Sequence, residues 1–235
     1  MIAKDQPTIF GSHLIAGVSS VQEGNIKKYG MPAELQIGVE ENQKQFLQKL
    51  SIIPEQTVLI KLSYDKEDFT TYDTVSQVDK GKGIVSDDAP ISDALATKDK
   101  NVALFLPIAD CVGAIIYDPK KEVLMVSHLG RHSTEQHGGT KSVQYLVEQF
   151  GSNPSDILVW FSPSPSADSY PLFKFENRSL HDVNKEHFET VGVKPENIEI
   201  CDVDTSVDTN YFSYSEFLKG NREVDGRFAI VAMMR

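Results

Sequence analysis

Cysteine is scarce in this 235-residue chain: there are two, Cys111 and Cys201, with no CxxC pair and no regular spacing. That excludes a disulfide-stapled secreted module and a zinc ribbon, and a reducing, cytoplasmic setting is expected. No apolar run approaches the ~20 residues that a membrane-spanning helix requires. The opening MIAKDQPTIFGSH has no apolar core of signal-peptide length. Positive charge is also in short supply, with 23 Lys and Arg against 34 Asp and Glu and a net charge of -11. An acidic surface repels nucleic acid and acidic membranes, so neither is an expected partner. A small anion on a local basic patch remains open. There is no fixed-period repeat, low-complexity tract or linker, and one domain over residues 1–235 is expected. That length suffices for a substantial core without staples.

What is present is a mixture of strand and helix patterns. PTIFGSHLIAGV (7–18) reads as a strand or two with a glycine turn, and TVLIKLSY (57–64) as a strand. In EENQKQFLQKL (40–50), Phe46, Leu47 and Leu50 share one helical face. Residues 65–99 are polar and broken by Gly81, Gly83 and Pro90, which predicts loops with short strands. VALFL (102–106), VGAIIY (112–117) and VLMVS (123–127) form the strongest β signal. Asp118-Pro119-Lys120-Lys121 supplies a tight turn between the last two. Val143, Leu146, Val147 and Phe150 mark a helix over 138–150. DILVWF (156–161) is a further strand, and Leu180, Val183, His187 and Val191 share a face of a helix over 179–191. Three prolines make SPSPSADSYP (162–171) a rigid, exposed loop. NIEICDV and FAIVAMM are late strands, with Cys201 a small buried hydrophobe. Hairpins outnumber clean strand–helix alternation, so the fold class is α+β with mixed sheets.

Cys111 begins one strand of the central hairpin and His128 lies at the far end of the next. Cross-strand neighbours lie ~5 Å apart, so the turn places both at one open end of the sheet. A thiolate and an imidazole suit zinc; the same pair suits a Cys–His nucleophile. A buried thiol beside a hydrogen-bonded strand-end histidine is the plainer alternative, and spacing alone leaves all three open. Arg131 and His132 follow at once, and Gly130, Gly138 and Gly139 permit close backbone approach.

Ala109-Asp110-Cys111 and His128-Leu129-Gly130-Arg131 resemble the "ADC" and "H-GWRG" motifs of the laccase-domain family, also called the multicopper polyphenol oxidoreductases. AGVSSVQEGN (16–25), GVKPENIEI (192–200) and YFSYSEFLKGNREVDGRFAIVAMM (211–234) are similar to further family segments, the last to a closing strand pair. The resemblance covers nearly the whole chain. It implies a layered α/β/β/α sandwich with the site at a sheet edge. It also implies zinc held by Cys111, His128 and a further histidine, with Asn25 and Gly130 binding substrate. The family's QVHG histidine has no counterpart, because Lys61-Leu62-Ser63-Tyr64 stands there and a serine hydroxyl is a poor zinc ligand. His132 or His137 would have to replace it; either is equally readable as a solvated loop histidine. The motif tryptophan is missing, and Ser215 and Glu216 replace two C-terminal arginines.

By this likeness the chain is a zinc-dependent purine nucleoside enzyme that cleaves adenosine, inosine or guanosine with phosphate and possesses a deaminase route for adenosine. Zinc-bound water would attack the purine in deamination. The metal or Arg131 would position phosphate, and Asp110 would orient His128 or a ribose hydroxyl. Asp110 is equally readable as a turn carboxylate. The alternative is a degenerate member that binds a nucleoside or a protein partner without turnover. A thiol enzyme built on Cys111 is a third reading. Copper fits worst, since six scattered histidines do not supply a four-copper centre.

Overall fold

The computed structural model describes residues 5–30 and 33–235; residues 1–4 of the opening stretch lie outside them. The strands are β1 (Leu14–Val18), β2 (Thr57–Leu59), β3 (Tyr72–Thr74), β4 (Ala94–Thr97) and β5 (Ala103–Ile108). They continue with β6 (Val112–Asp118), β7 (Val123–Leu129), β8 (Leu158–Phe161), β9 (Ile198–Ile200) and β10 (Phe228–Met234). The helices are α1 (Ala33–Lys49), α2 (Arg131–Glu135), α3 (Gly138–Phe150), α4 (Leu180–Thr190) and α5 (Tyr214–Leu218). Two mixed sheets form, with strand orders β1-β10-β5-β2 and β3-β4-β7-β6-β8-β9.

The central strands are apolar on both faces because each sheet is covered on both sides. Along β10, Phe228, Ile230 and Ala232 pack between the sheets with Leu104, Leu106, Ile115, Val126 and Trp160. The intervening Ala229, Val231 and Met233 pack with Phe46 and Leu47 of α1. On the far side, Ala114, Ile116 and Met125 meet Val143 and Leu146 of α3 and Val183 and Phe188 of α4. The period of two thus splits each strand between two cores, and the layers run α/β/β/α. No helix among the described residues is long and apolar enough to cross a membrane.

β6 and β7 pair antiparallel, with Gly113 opposite His128 and Val112 opposite Leu129. Residues 109–111 carry the chain from β5 in one sheet to β6 in the other. Asp110, at φ +70°, takes the left-handed conformation there, which Asp tolerates better than most residues.

Several expectations change. The strand expected over 57–64 stops at Leu59, because Lys61 N donates to Pro90 O and Ser92 N to Lys61 O. The chain has exchanged its sheet neighbour for a loop. Helix α1 begins at Ala33, not near 40; Ile37 points into solvent, so hydrophobic periodicity could not reveal that half. The SPSP segment is buried from Ser162 to Pro165 rather than exposed. Ser162 Oγ accepts from Gly113 N at 2.8 Å, and Ser164 Oγ donates to Asp110 O at 2.7 Å. The expected closing strand pair is instead α5 followed by β10, because Ser213 Oγ accepts from Glu216 N and caps a helix.

Candidate active site

The open ends of β6 and β7, the β5–β6 crossover and the residues after β2 enclose a cavity of about 880 Å³. Its floor holds Cys111, His128, Gly130 and Arg131, and Tyr29, Tyr64, Phe69, Tyr170 and Tyr214 line its sides. Gly130 explains how the floor fits together. A Cβ there would stand 2.8 Å from Cys111 Sγ, 2.9 Å from His128 Cε1 and 3.1 Å from His128 Nε2. The thiol and imidazole therefore converge on the space that a side chain would occupy. Gly130 also N-caps α2 with Arg131 as its first residue, so one glycine both admits the pair and starts the helix.

Both ring nitrogens of His128 are buried without a hydrogen-bond partner. An unmet buried donor and acceptor are costly unless a ligand or water meets them. Burial holds the imidazole near a pKa of about 4 against the pull of the Asp93 carboxylate, so it is neutral at pH 7. Burial first, and then Asp110, pushes the Cys111 thiol up to about 12. The thiol is protonated at neutral pH and makes no hydrogen bond with His128, which removes the support for a thiolate nucleophile.

The remaining sequence candidates separate. Asp110 does not orient His128: its Oδ2 accepts from Ser215 N at 2.7 Å and its Oδ1 from Thr205 Oγ1 at 3.3 Å. It ties α5 to the crossover instead. Asn25 stands outside the cavity lining. Its Oδ1 accepts from Lys27 N and Arg227 N and so holds two lining residues in place. Arg131 lies over the Tyr170 ring at 4.4 Å and donates to Pro171 O at 3.1 Å. His132 lines the cavity but stacks on Phe69 at 4.6 Å. His137 sits at the start of α3 with its ring 5.0 Å from His187, away from the cavity lining. Ser63 lines the cavity; the neighbouring Tyr64 ring stands perpendicular to the His128 ring, 6.5 Å between centres. Tyr64, Tyr170 and Tyr214 were missed by motif reading, since no local signal marks an aromatic residue as cavity-lining.

The donor set does not fit a resident zinc ion. Catalytic zinc takes three protein ligands, and only Cys111 and His128 converge. Among the described residues no group of three or more His, Cys, Asp or Glu side chains is arranged for a metal.

This architecture is also that of solved structures. YlmD from Geobacillus stearothermophilus superposes with a TM-score of 0.83 at 18% identity, covering 97% of this chain and 94% of that one. A Bacillus licheniformis hypothetical protein, YfiH, gives 0.79 at 20% identity, covering 94% and 92%. These likenesses establish the fold. The model of the family described as multi-copper polyphenol oxidoreductase laccase matches residues 31–178, and the chain belongs to that family. A Bacillus subtilis protein named purine nucleoside phosphorylase YlmD is 40% identical over 100 residues, 42% of this chain and 36% of its own length. A Bacteroides thetaiotaomicron purine nucleoside phosphorylase is 28% identical over 80 residues, 34% of this chain and 30% of its own length. The matched stretch thus spans about a third of these curated relatives.

Proposed function

We propose that the cavity binds a purine nucleoside beside inorganic phosphate and catalyses phosphorolysis of the glycosidic bond. The observation that carries this is the cavity itself, with five aromatic rings around a floor of neutral His128 and cationic Arg131. A flat purine stacks on such rings, worth about 1–3 kcal/mol per base. Arg131 presents a forked cation that matches phosphate oxygens. A phosphate oxygen bonds to C1′ as the C1′–N9 bond breaks and its electron pair leaves on the purine. Dihydrogenphosphate brings the proton that the leaving purine requires. A neutral His128 suits that transfer, because one ring nitrogen holds a proton while the other accepts one. The names of the relatives support the same substrate class. Two free thiols fit a reducing, cytoplasmic setting.

Adenosine deamination receives less support, since it relies on a metal-activated water and the donor set stops at two. The same shortfall favours one second reading, a member that binds nucleosides without turnover. Chromatography of inosine with and without phosphate, on protein of measured zinc content, separates the two. Phosphate-dependent hypoxanthine release establishes the enzyme. Nucleoside binding without release establishes the binder, and no binding at all overturns both.

A further inference from the structure

The cavity carries two cations with no carboxylate partner, whereas the proposed reaction supplies one anion. Of its five basic lining residues, Lys27 and Arg227 share Asp225, and Lys28 is paired with Glu40 and Asp87. Arg131 and Lys61 have no carboxylate within ion-pair distance among the described residues. Arg131 packs on Tyr170 at the floor. Lys61, also in the cavity lining, holds its ammonium 4.7 Å from the Tyr29 ring centre. Residues 61–64 connect the two regions: Lys61 stands at Tyr29, and Tyr64 stands against His128. Three residues of chain span at most about 10 Å. One phosphate ion at Arg131 therefore leaves a second cation of the cavity lining, Lys61, without an anion. A half-exposed ammonium that lines a cleft without a carboxylate partner favours an anionic ligand group.

We propose that the substrate carries its own phosphate: a purine nucleoside 5′-monophosphate whose ester group sits at Lys61 while inorganic phosphate sits at Arg131. This rests on the nucleoside reading above and narrows it. The bonds broken and formed are the same, so the sugar product carries phosphate at both C1 and C5.

Calorimetric titration with inosine, inosine 5′-monophosphate and inorganic phosphate tests the proposal. The monophosphate should bind at least about tenfold tighter than inosine at low salt, as one charge-assisted contact warrants. The preference should shrink as ionic strength rises. Lys61→Met should collapse that ratio to about twofold, whereas Lys98→Met, on an exposed position outside the cavity lining, should leave it intact. Equal affinities for the two ligands, or a ratio unmoved by Lys61→Met, overturn the phosphate-ester site while leaving the nucleoside reading standing. Failure of both ligands to bind overturns both.

Discussion

Gly130→Ala is the sharpest test of how the site is built. The backbone there, at φ -85° and ψ -179°, suits alanine, so no conformational strain is involved. The added methyl would instead lie 2.8 Å from Cys111 Sγ and 2.9 Å from His128 Cε1, well inside van der Waals separation. Forced overpacking of this kind costs about 1–3 kcal/mol. The reduced freedom of the unfolded chain returns about 0.4–1 kcal/mol, and the poorer N-cap costs a few tenths. A net destabilisation of about 1–2 kcal/mol follows, a melting shift of about 2–8 °C for a chain of this size. Part of the clash is with the sulfur, so Cys111→Ala should relieve it. Urea unfolding of the wild type, both single variants and the double variant closes a thermodynamic cycle. The penalty of Gly130→Ala should fall by about 1 kcal/mol in the Cys111→Ala background. Additivity within about 0.5 kcal/mol would refute the claim that thiol, imidazole and Gly130 share one space.

Asp110→Ala should cost about 1–3 kcal/mol, because Ser215 N and Thr205 Oγ1 lose their acceptor. Hydrogen exchange should show the loss concentrated in α5. Tag-free protein should hold less than about a tenth of an equivalent of zinc, whereas Ser63→His, which adds a third donor to the cavity lining that holds Cys111 and His128, should raise it toward one by elemental analysis; equal content in both would refute the two-donor account. Burial, then the neighbouring His137, holds His187 near a pKa of about 4. Its folded value lies below its unfolded one, so the unfolded state binds the extra proton and stability falls as pH drops from about 6.5 to about 4. Urea unfolding at pH 7, 5.5 and 4.5 should show a slope that His187→Gln reduces. Alkylation of Cys111 at pH 7.5 should run at least about tenfold slower in the native than in the unfolded protein, since burial keeps the thiol protonated.

Local pattern was enough to read most of the scaffold and to bring two residues of the candidate site together. Continuous apolar runs marked β5, β6, β7 and β10, because strands covered on both faces carry no polar alternation. The Asp118 turn fixed their register closely enough to bring Cys111 and His128 to one end, and helical periodicity located α3 and α4. The likeness of ADC and H-G-R to a family pattern pointed to the end of the sheet that carries the cavity, and the gap at Ser63 was visible as a missing histidine. What lay beyond reach was everything set by encounters between distant segments. Asp110 could be read as an orienting acid, yet its carboxylate is taken by Ser215 and Thr205, about a hundred residues away in sequence. The proline-rich stretch looked exposed by composition, yet the crossover at Asp110 needs its serine hydroxyls and buries them. The aromatic walls come from residues 29, 64, 69, 170 and 214, which no window of sequence joins. Hydrophobic period and turn chemistry act over a few residues and are legible there. Which polar groups satisfy one another across two packed sheets is decided only when the sheets meet.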